Sequence, residues 1–209
     1  MRSLASVLAR RHDDEPPAVR PLTLISQFFK SPQAVGTIVP STRNLAEAMI
    51  APLDFAALKT IVECGPGTGA ITGPVAERLS GQSRYIGIEI NATFCKNLAV
   101  RFPHLTFVNR SAVEIEDVIR AAGIERADAV LCGIPWASLP AEQQTGILDG
   151  VKRILAPGGV FVTYAYLQGL LLPGAWALRR NLKERFSSVA TTRIVWNNVP
   201  PAFAYICRP

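Results

Sequence analysis

Histidine is nearly missing from this chain of 209 residues. His12 and His104 are the only two, and they lie far apart in polar segments, so neither suggests half of a catalytic pair. Cysteine is sparse as well. Cys64, Cys95, Cys132 and Cys207 lack the short paired spacings of a zinc site. Cys64, Cys132 and Cys207 fall in segments that read as strands, so buried thiols are expected rather than a metal centre or a disulfide. No apolar run reaches the roughly 18 residues needed to cross a bilayer. The most apolar segment, Tyr164 to Leu178, is broken by Gln168, Gly169, Pro173 and Gly174. The amino end has too short an apolar core to read as a secretory signal. Internal repeats and low-complexity tracts are lacking too. Acids are outnumbered, 16 against 22 Lys and Arg, for a net charge of +6. That excess points toward an anionic partner, either nucleic acid or an anionic membrane surface. The hydrophobic fraction of 49% and mean hydropathy of +0.22 are high for a soluble chain. The length suits one α/β domain with a short extra arm.

The chain is organised around Thr60-Ile61-Val62-Glu63-Cys64-Gly65-Pro66-Gly67-Thr68-Gly69-Ala70. A β-branched run ends in an acid, then come glycines at alternate positions, then Ile71, Val75 and Leu79 at helical spacing. This reads as strand, tight turn and helix, the opening unit of a doubly wound α/β sheet. The glycines permit positive φ and close approach of a ligand to the main chain. Tyr85-Ile86-Gly87-Ile88-Glu89 is a second buried strand ending in an acid, and a carboxylate there can accept both hydroxyl protons of a ribose. Gly65, Gly67 and Ala70 also fit the alanine variant of the dinucleotide fingerprint, so NAD is one candidate cofactor. Glu63 weighs against it, because an acid is awkward beside a pyrophosphate.

Ahead of this unit, residues 1–40 form an expected amphipathic arm or lid. Leu4, Val7 and Leu8 alternate with arginines, His12 to Pro17 reads as a joint, and Leu22, Leu24, Ile25, Phe28 and Phe29 line one helix face up to Lys30. That face either packs on the main domain, residues 41–209, or lies in an anionic membrane surface. Ser41 or Thr42 is a good N-cap for a helix through Ala46, Met49 and Ile50, whose amino end and hydroxyls suit a carboxylate. Further strands are expected at Leu105–Val108, Ala127–Cys132, Val160–Tyr164, Ala190–Trp196 and Phe203–Cys207, with helices at Phe94–Phe102, Val118–Ala122 and Ile147–Leu155.

Glu63-x-Gly65-x-Gly67-x-Gly69 resembles motif I of the class I S-adenosylmethionine (SAM) methyltransferases, and five parallel strands with a closing antiparallel pair match their topology. The resemblance implies a Rossmann-like, seven-stranded α/β sheet, mostly parallel with the last strand antiparallel, and helices on both faces. It places the glycine loop along the methionine part of SAM, Glu89 with neighbouring Ile90 at the ribose, and Ser111-Ala112 at the adenine, where the family's usual acid is missing. Gly133-Ile134-Pro135-Trp136 occupies the segment that selects the methyl acceptor. Enzymes acting on adenine carry an asparagine at the first of these positions, whose carbonyl accepts an amine proton. Gly133 cannot do this, and that weighs against an RNA adenine substrate despite a likeness to the rRNA adenine dimethyltransferases.

The pattern as a whole resembles the bacterial phospholipid N-methyltransferases. The likeness rests on Phe28 to Arg43, Glu63 to Gly69, Gly133-Ile134-Pro135 and Asn198-Val199-Pro200-Pro201-Ala202. It implies stepwise methylation of phosphatidylethanolamine toward phosphatidylcholine, with SAM as donor and S-adenosylhomocysteine as product. The cofactor set is then Ser41, Thr42, Glu63, Gly65, Gly67, Gly69, Glu89, Ile90, Ser111, Ala112 and Gly133. Tyr164, Tyr166 and Trp136 are the expected catalytic side chains, serving the amine proton and the methylated cation. Arg43, Arg179, Arg180, Asn198, Pro200 and Trp136 are the expected lipid contacts, with Lys183 a further candidate for the phosphate. The expected partners are a phospholipid and an anionic membrane surface, without metal or nucleic acid, on the cytoplasmic face of the cell membrane. An rRNA adenine methyltransferase and a noncatalytic SAM-binding scaffold remain as alternatives.

Overall fold

In the computed structural model, residues 42–136, 139–171 and 173–209 are described. The expected arm, its interfacial helix and Ser41 lie outside them.

The β-branched run at Thr60 becomes β1 (Thr60–Cys64), every residue of which is buried, as a strand at the middle of a parallel sheet must be. β2 (Arg84–Ile88) and β4 (Ala127–Cys132) pair parallel on either side of it, in register Cys64 to Ile88 and Cys64 to Cys132. β3 (Thr106–Val108) and β5 (Leu155–Tyr166) extend the sheet outward, again parallel. β7 (Ala202–Arg208) adds antiparallel to β5, and β6 (Ser188–Thr191) antiparallel to β7. The order is β3-β2-β1-β4-β5-β7-β6, a seven-stranded sheet in which only β7 runs against the rest.

Side chains alternate between two cores, as the period of two in a strand requires. Val62, Cys64, Ile86, Ile88, Val130 and Cys132 face α4 (Ile115–Ala121), α5 (Ala141–Ile154) and α6 (Pro173–Arg185). Ile61, Tyr85, Leu131, Val162 and Tyr164 face α1 (Arg43–Ile50) and α2 (Thr72–Ala76). Between β2 and β3 runs α3 (Ala92–Arg101), capped by the Asn91 side chain on the Thr93 and Phe94 N–H groups. All four cysteines are free and buried, and burial pushes the thiols of Cys132 and Cys207 up to about 12.

Several boundaries differ from expectation. β5 begins five residues early, at Leu155, and its register slips opposite Ala127 to Ala129 where Gly158 adopts a φ of +76°. β6 stops at Thr191 instead of reaching Trp196. The Thr192 hydroxyl, in place of a main-chain carbonyl, accepts from the Ala204 N–H at 2.9 Å and ends the ladder, leaving Val195 one isolated bridge to Ala202. The first sheet helix ends at Ala76 instead of continuing through Leu79.

Candidate active site

The parallel strands deliver their carboxyl ends to one edge of the sheet, where open α/β folds bind ligands. β1 ends at Glu63 and Cys64 and turns at once through Gly65, Gly67 and Gly69, with φ of +68°, +57° and +84°. Two of these glycines answer to packing. A Cβ on Gly65 would stand 2.8 Å from Ile134 Cγ1, and one on Gly69 3.0 Å from Leu98 Cδ2. A Cβ on Gly67 would meet nothing within 4 Å, so this position faces open space.

Glu89, just past β2, is buried and binds the loop from the other side. Its Oε2 accepts from the Gly67 N–H at 2.9 Å, and its Oε1 from the Asn91 N–H at 2.8 Å. Asn109 Nδ2 donates to the carbonyls of Glu89 and Ile90 at 2.8 and 2.9 Å, fixing this corner against the end of β3. Burial raises the Glu89 carboxyl above its ordinary range, with the N–H donors opposing the rise. The carboxylate keeps acceptor capacity for a hydroxyl.

Beside it opens a cleft with about 510 Å³ of empty space. It brings together six of the expected cofactor residues: Gly65, Glu89, Ile90, Ser111, Ala112 and Gly133. Ser111 caps a 3-10 turn over Ala112–Glu114 by accepting from the Val113 N–H at 3.4 Å, while Glu114 accepts from the Ser111 N–H at 3.1 Å. The remaining wall was not foreseen. Val113, Leu139, Gln143 and Ile147 line it, the last two from α5. A helix starting directly after a ligand-edge loop was the available signal.

Gly133 has a steric reason to be glycine. Its N–H donates to the Cys64 carbonyl at 2.9 Å, and a Cβ there would lie 2.7 Å from the Gly65 carbonyl oxygen. The ends of β1 and β4 approach too closely for a side chain.

Glu63 sits on the opposite face from the cleft residues of α5, enclosed with Thr72 and Tyr85. Its Oε2 accepts from the Tyr85 hydroxyl at 2.5 Å and from Thr72 Oγ1 at 3.0 Å, while Oε1 is buried without a hydrogen-bond partner. Desolvation raises its pKa to about 7; the two hydroxyls oppose the rise and the nearby Glu89 adds to it.

The structure disperses the expected catalytic and lipid contacts. Trp136 is 3% exposed, packs edge-on against Phe161 and donates its indole N–H to Thr163 Oγ1 at 2.6 Å, which in turn donates to the Cys132 carbonyl at 3.0 Å. Its ring therefore braces the loop from inside the core and does not line the cleft. Tyr164 and Tyr166 meet edge to face on the other side of the sheet, and the Tyr164 hydroxyl lies 3.4 Å from the Gly133 carbonyl. Asn198 is 1% exposed and is a brace as well. Its Oδ1 accepts from the Thr42 N–H and hydroxyl at 3.0 and 2.8 Å, and its Nδ2 donates to the Pro200 carbonyl at 2.6 Å, beyond a cis Val199–Pro200 bond. Thr42 is the N-cap of α1. Arg43 pairs with Glu77 at 2.6 Å and Glu47 at 3.6 Å, and Arg180 with Glu184 at 3.8 Å. Arg179 is exposed on α6, whose buried side packs on the sheet face opposite Tyr164.

These residues fit SAM. Gly67 offers main chain bordered by open space, Glu89 offers a carboxylate suited to a ribose, and Ile90, Ala112, Val113 and Ile134 give the cleft an apolar lining suited to a purine. When bound, SAM provides a methyl group activated by its positive sulfur.

Fold and cleft together define a class I SAM-dependent methyltransferase. The comparisons agree: a methyltransferase-domain family model matches residues 62–161. Among solved structures, TrmN from Thermus thermophilus aligns with a TM-score of 0.61 at 17% identity, over 88% of this chain and 53% of its own. The TehB-like SAM-dependent methyltransferase from Corynebacterium glutamicum aligns at 0.57 with 13% identity over 88% and 95%. The N-methyltransferase NodS from Bradyrhizobium japonicum aligns at 0.58 with 16% identity over 78% and 91%. At these identities the likeness is one of fold. Over 187 residues the chain is 30% identical to the ornithine lipid N-methyltransferase of Singulisphaera acidiphila, covering 88% of this chain and 93% of that protein, and it belongs to the same methyltransferase family.

Proposed function

We propose that this methyltransferase acts on the amine of a lipid headgroup, with phosphatidylethanolamine and its mono- and dimethyl forms as acceptors on the way to phosphatidylcholine. The observation that carries the reading is Gly133. It leaves the lip of β4 without a side-chain carbonyl, and the 2.7 Å approach to Gly65 excludes one from this backbone. A nucleobase amine, with its lone pair delocalised, needs such an acceptor; an alkyl amine becomes a nucleophile on losing a proton. An alkylammonium has a pKa of about 10, so the site must favour its neutral form. Exclusion of water and alignment of the nitrogen are the main work of the chain. In this reading the Gly133 carbonyl and the Tyr164 hydroxyl orient the amine, and its proton passes to water beside Tyr164 and Tyr166. Reaction takes place at the cytoplasmic face of the cell membrane.

The relative's own name favours a second acceptor, the amine of an ornithine lipid, whose chemistry before methylation is the same. SAM carrying a labelled methyl group, offered with phosphatidylethanolamine vesicles, ornithine lipid vesicles and ribosomal RNA in turn, separates the cases. Label in phosphatidylethanolamine supports the reading. Label in ornithine lipid alone moves the acceptor, and label in RNA overturns it.

A further inference from the structure

Large apolar side chains are mostly enclosed in the described residues, yet five exceptions, Ile194 among them, fall in two connections. Leu171 is 87% exposed and Trp176 72%, in the connection after β5 and the start of α6; Trp196 is 69% exposed and Val199 65%, in the connection before β7. β5 and β7 pair with Tyr166 opposite Ala202, so both connections emerge at one edge of the sheet. The Leu167 N–H donates to the Pro201 carbonyl at 2.9 Å and ties them together. Because β1, β2, β4 and β5 are parallel, this is also the edge that carries the glycine loop, Glu89 and Gly133. The Trp176 indole N–H is bonded to the Leu170 carbonyl at 2.7 Å, so the ring is held in its outward position. Arg179, three residues past Trp176 on α6, and Arg193, three residues before Trp196, are both exposed.

We propose that these two connections form a membrane-docking rim, occupied by the surface of an anionic bilayer. Tryptophan suits the level of lipid headgroups, where its apolar body is buried and its edge stays polar. Arginines beside it meet lipid phosphate, in keeping with the net charge of +6. The inference rests on the lipid-amine reading for its purpose: a rim on the cleft's own edge lets a headgroup reach the methyl donor while its acyl chains stay in the bilayer.

The chain contains three tryptophans, and the third, Trp136, is buried, so emission reports on the rim. The full chain as Trp176→Phe and as Trp196→Phe, each keeping one rim indole, is mixed with phosphatidylglycerol-containing vesicles whose acyl chains carry bromine. The expected result is a blue shift and bromine quenching in both variants. Replacing both rings by alanine weakens vesicle binding about a hundredfold, roughly tenfold for each ring withdrawn from lipid. The alanine variant keeps its affinity for S-adenosylhomocysteine, which shows that it folds. Vesicle binding without quenching, or no vesicle binding at all, overturns the proposal. So does emission that is already blue and shielded from acrylamide without vesicles: residues 1–41 then cover the rim, or a second copy does if dilution removes the shielding. Quenching without methyl transfer to any aminolipid refutes the acceptor reading and leaves the rim standing; transfer to lipid without quenching does the reverse.

Discussion

Replacing Glu63 by glutamine tests whether the buried acid behind the glycine loop titrates as its surroundings dictate. The side chain is enclosed, has one oxygen without a partner, and is held up to about 7 by desolvation against an ordinary 4.5. Between these values the folded chain binds more protons at this site than the unfolded chain does. Stability therefore falls as pH rises through this window, and the fall is complete above about 7. Each pKa unit corresponds to about 1.4 kcal/mol, so from pH 5 to pH 8 Glu63 alone removes about 2–3 kcal/mol. Glutamine keeps the shape and accepts from Tyr85 and Thr72, but does not titrate. Whatever the substitution does to the neutral site is common to both pH values and cancels. Urea unfolding of both proteins at pH 5 and pH 8, followed by fluorescence and by circular dichroism, gives the double difference. The expected result is a decline across this range that is smaller in Glu63→Gln by about 2–3 kcal/mol. Equal declines in the two proteins would refute the reasoning.

Gly133→Ala places a Cβ 2.7 Å from the Gly65 carbonyl and forces the two strand ends apart. It is expected to destabilise by about 1–3 kcal/mol and to weaken S-adenosylhomocysteine at least about tenfold, read by unfolding and by titration. Thr163→Val strands the buried Trp136 N–H and is expected to cost about 1–3 kcal/mol, much of which Thr163→Ser restores in the same unfolding assay. Asn198→Ala removes the acceptor for both Thr42 donors and is expected to lower stability by about 1–3 kcal/mol, again by urea unfolding.

The parts of this site that sequence makes legible are those with a single physical solution. An apolar β-branched run followed by an acid and alternating glycines has few uses besides a strand turning into a ligand loop, and Glu89 follows at the end of the next buried strand. Six expected residues do meet at one cleft. Side-chain direction at the strand ends is another matter. Trp136 has an aromatic face suited to a cation and an N–H suited to a buried partner, and only the position of Thr163 on the neighbouring strand decides for the second. Asn198 is similar: its partner, Thr42, lies 156 positions away, and no local pattern announces the pair. Arg43 reads as a phosphate ligand until Glu77 is brought beside it by the packing of α1 on α2. The α5 wall escaped because Gln143 and Ile147 belong to a helix whose buried side also serves the core.

The decisive measurement is calorimetric titration with S-adenosylhomocysteine of the intact chain and of Glu89→Ala. The account predicts saturable binding at one site in the first. In the second it predicts binding weaker by about a hundredfold, since two charge-assisted hydrogen bonds are lost. No heat from the intact chain, or equal affinity in both, would contradict it.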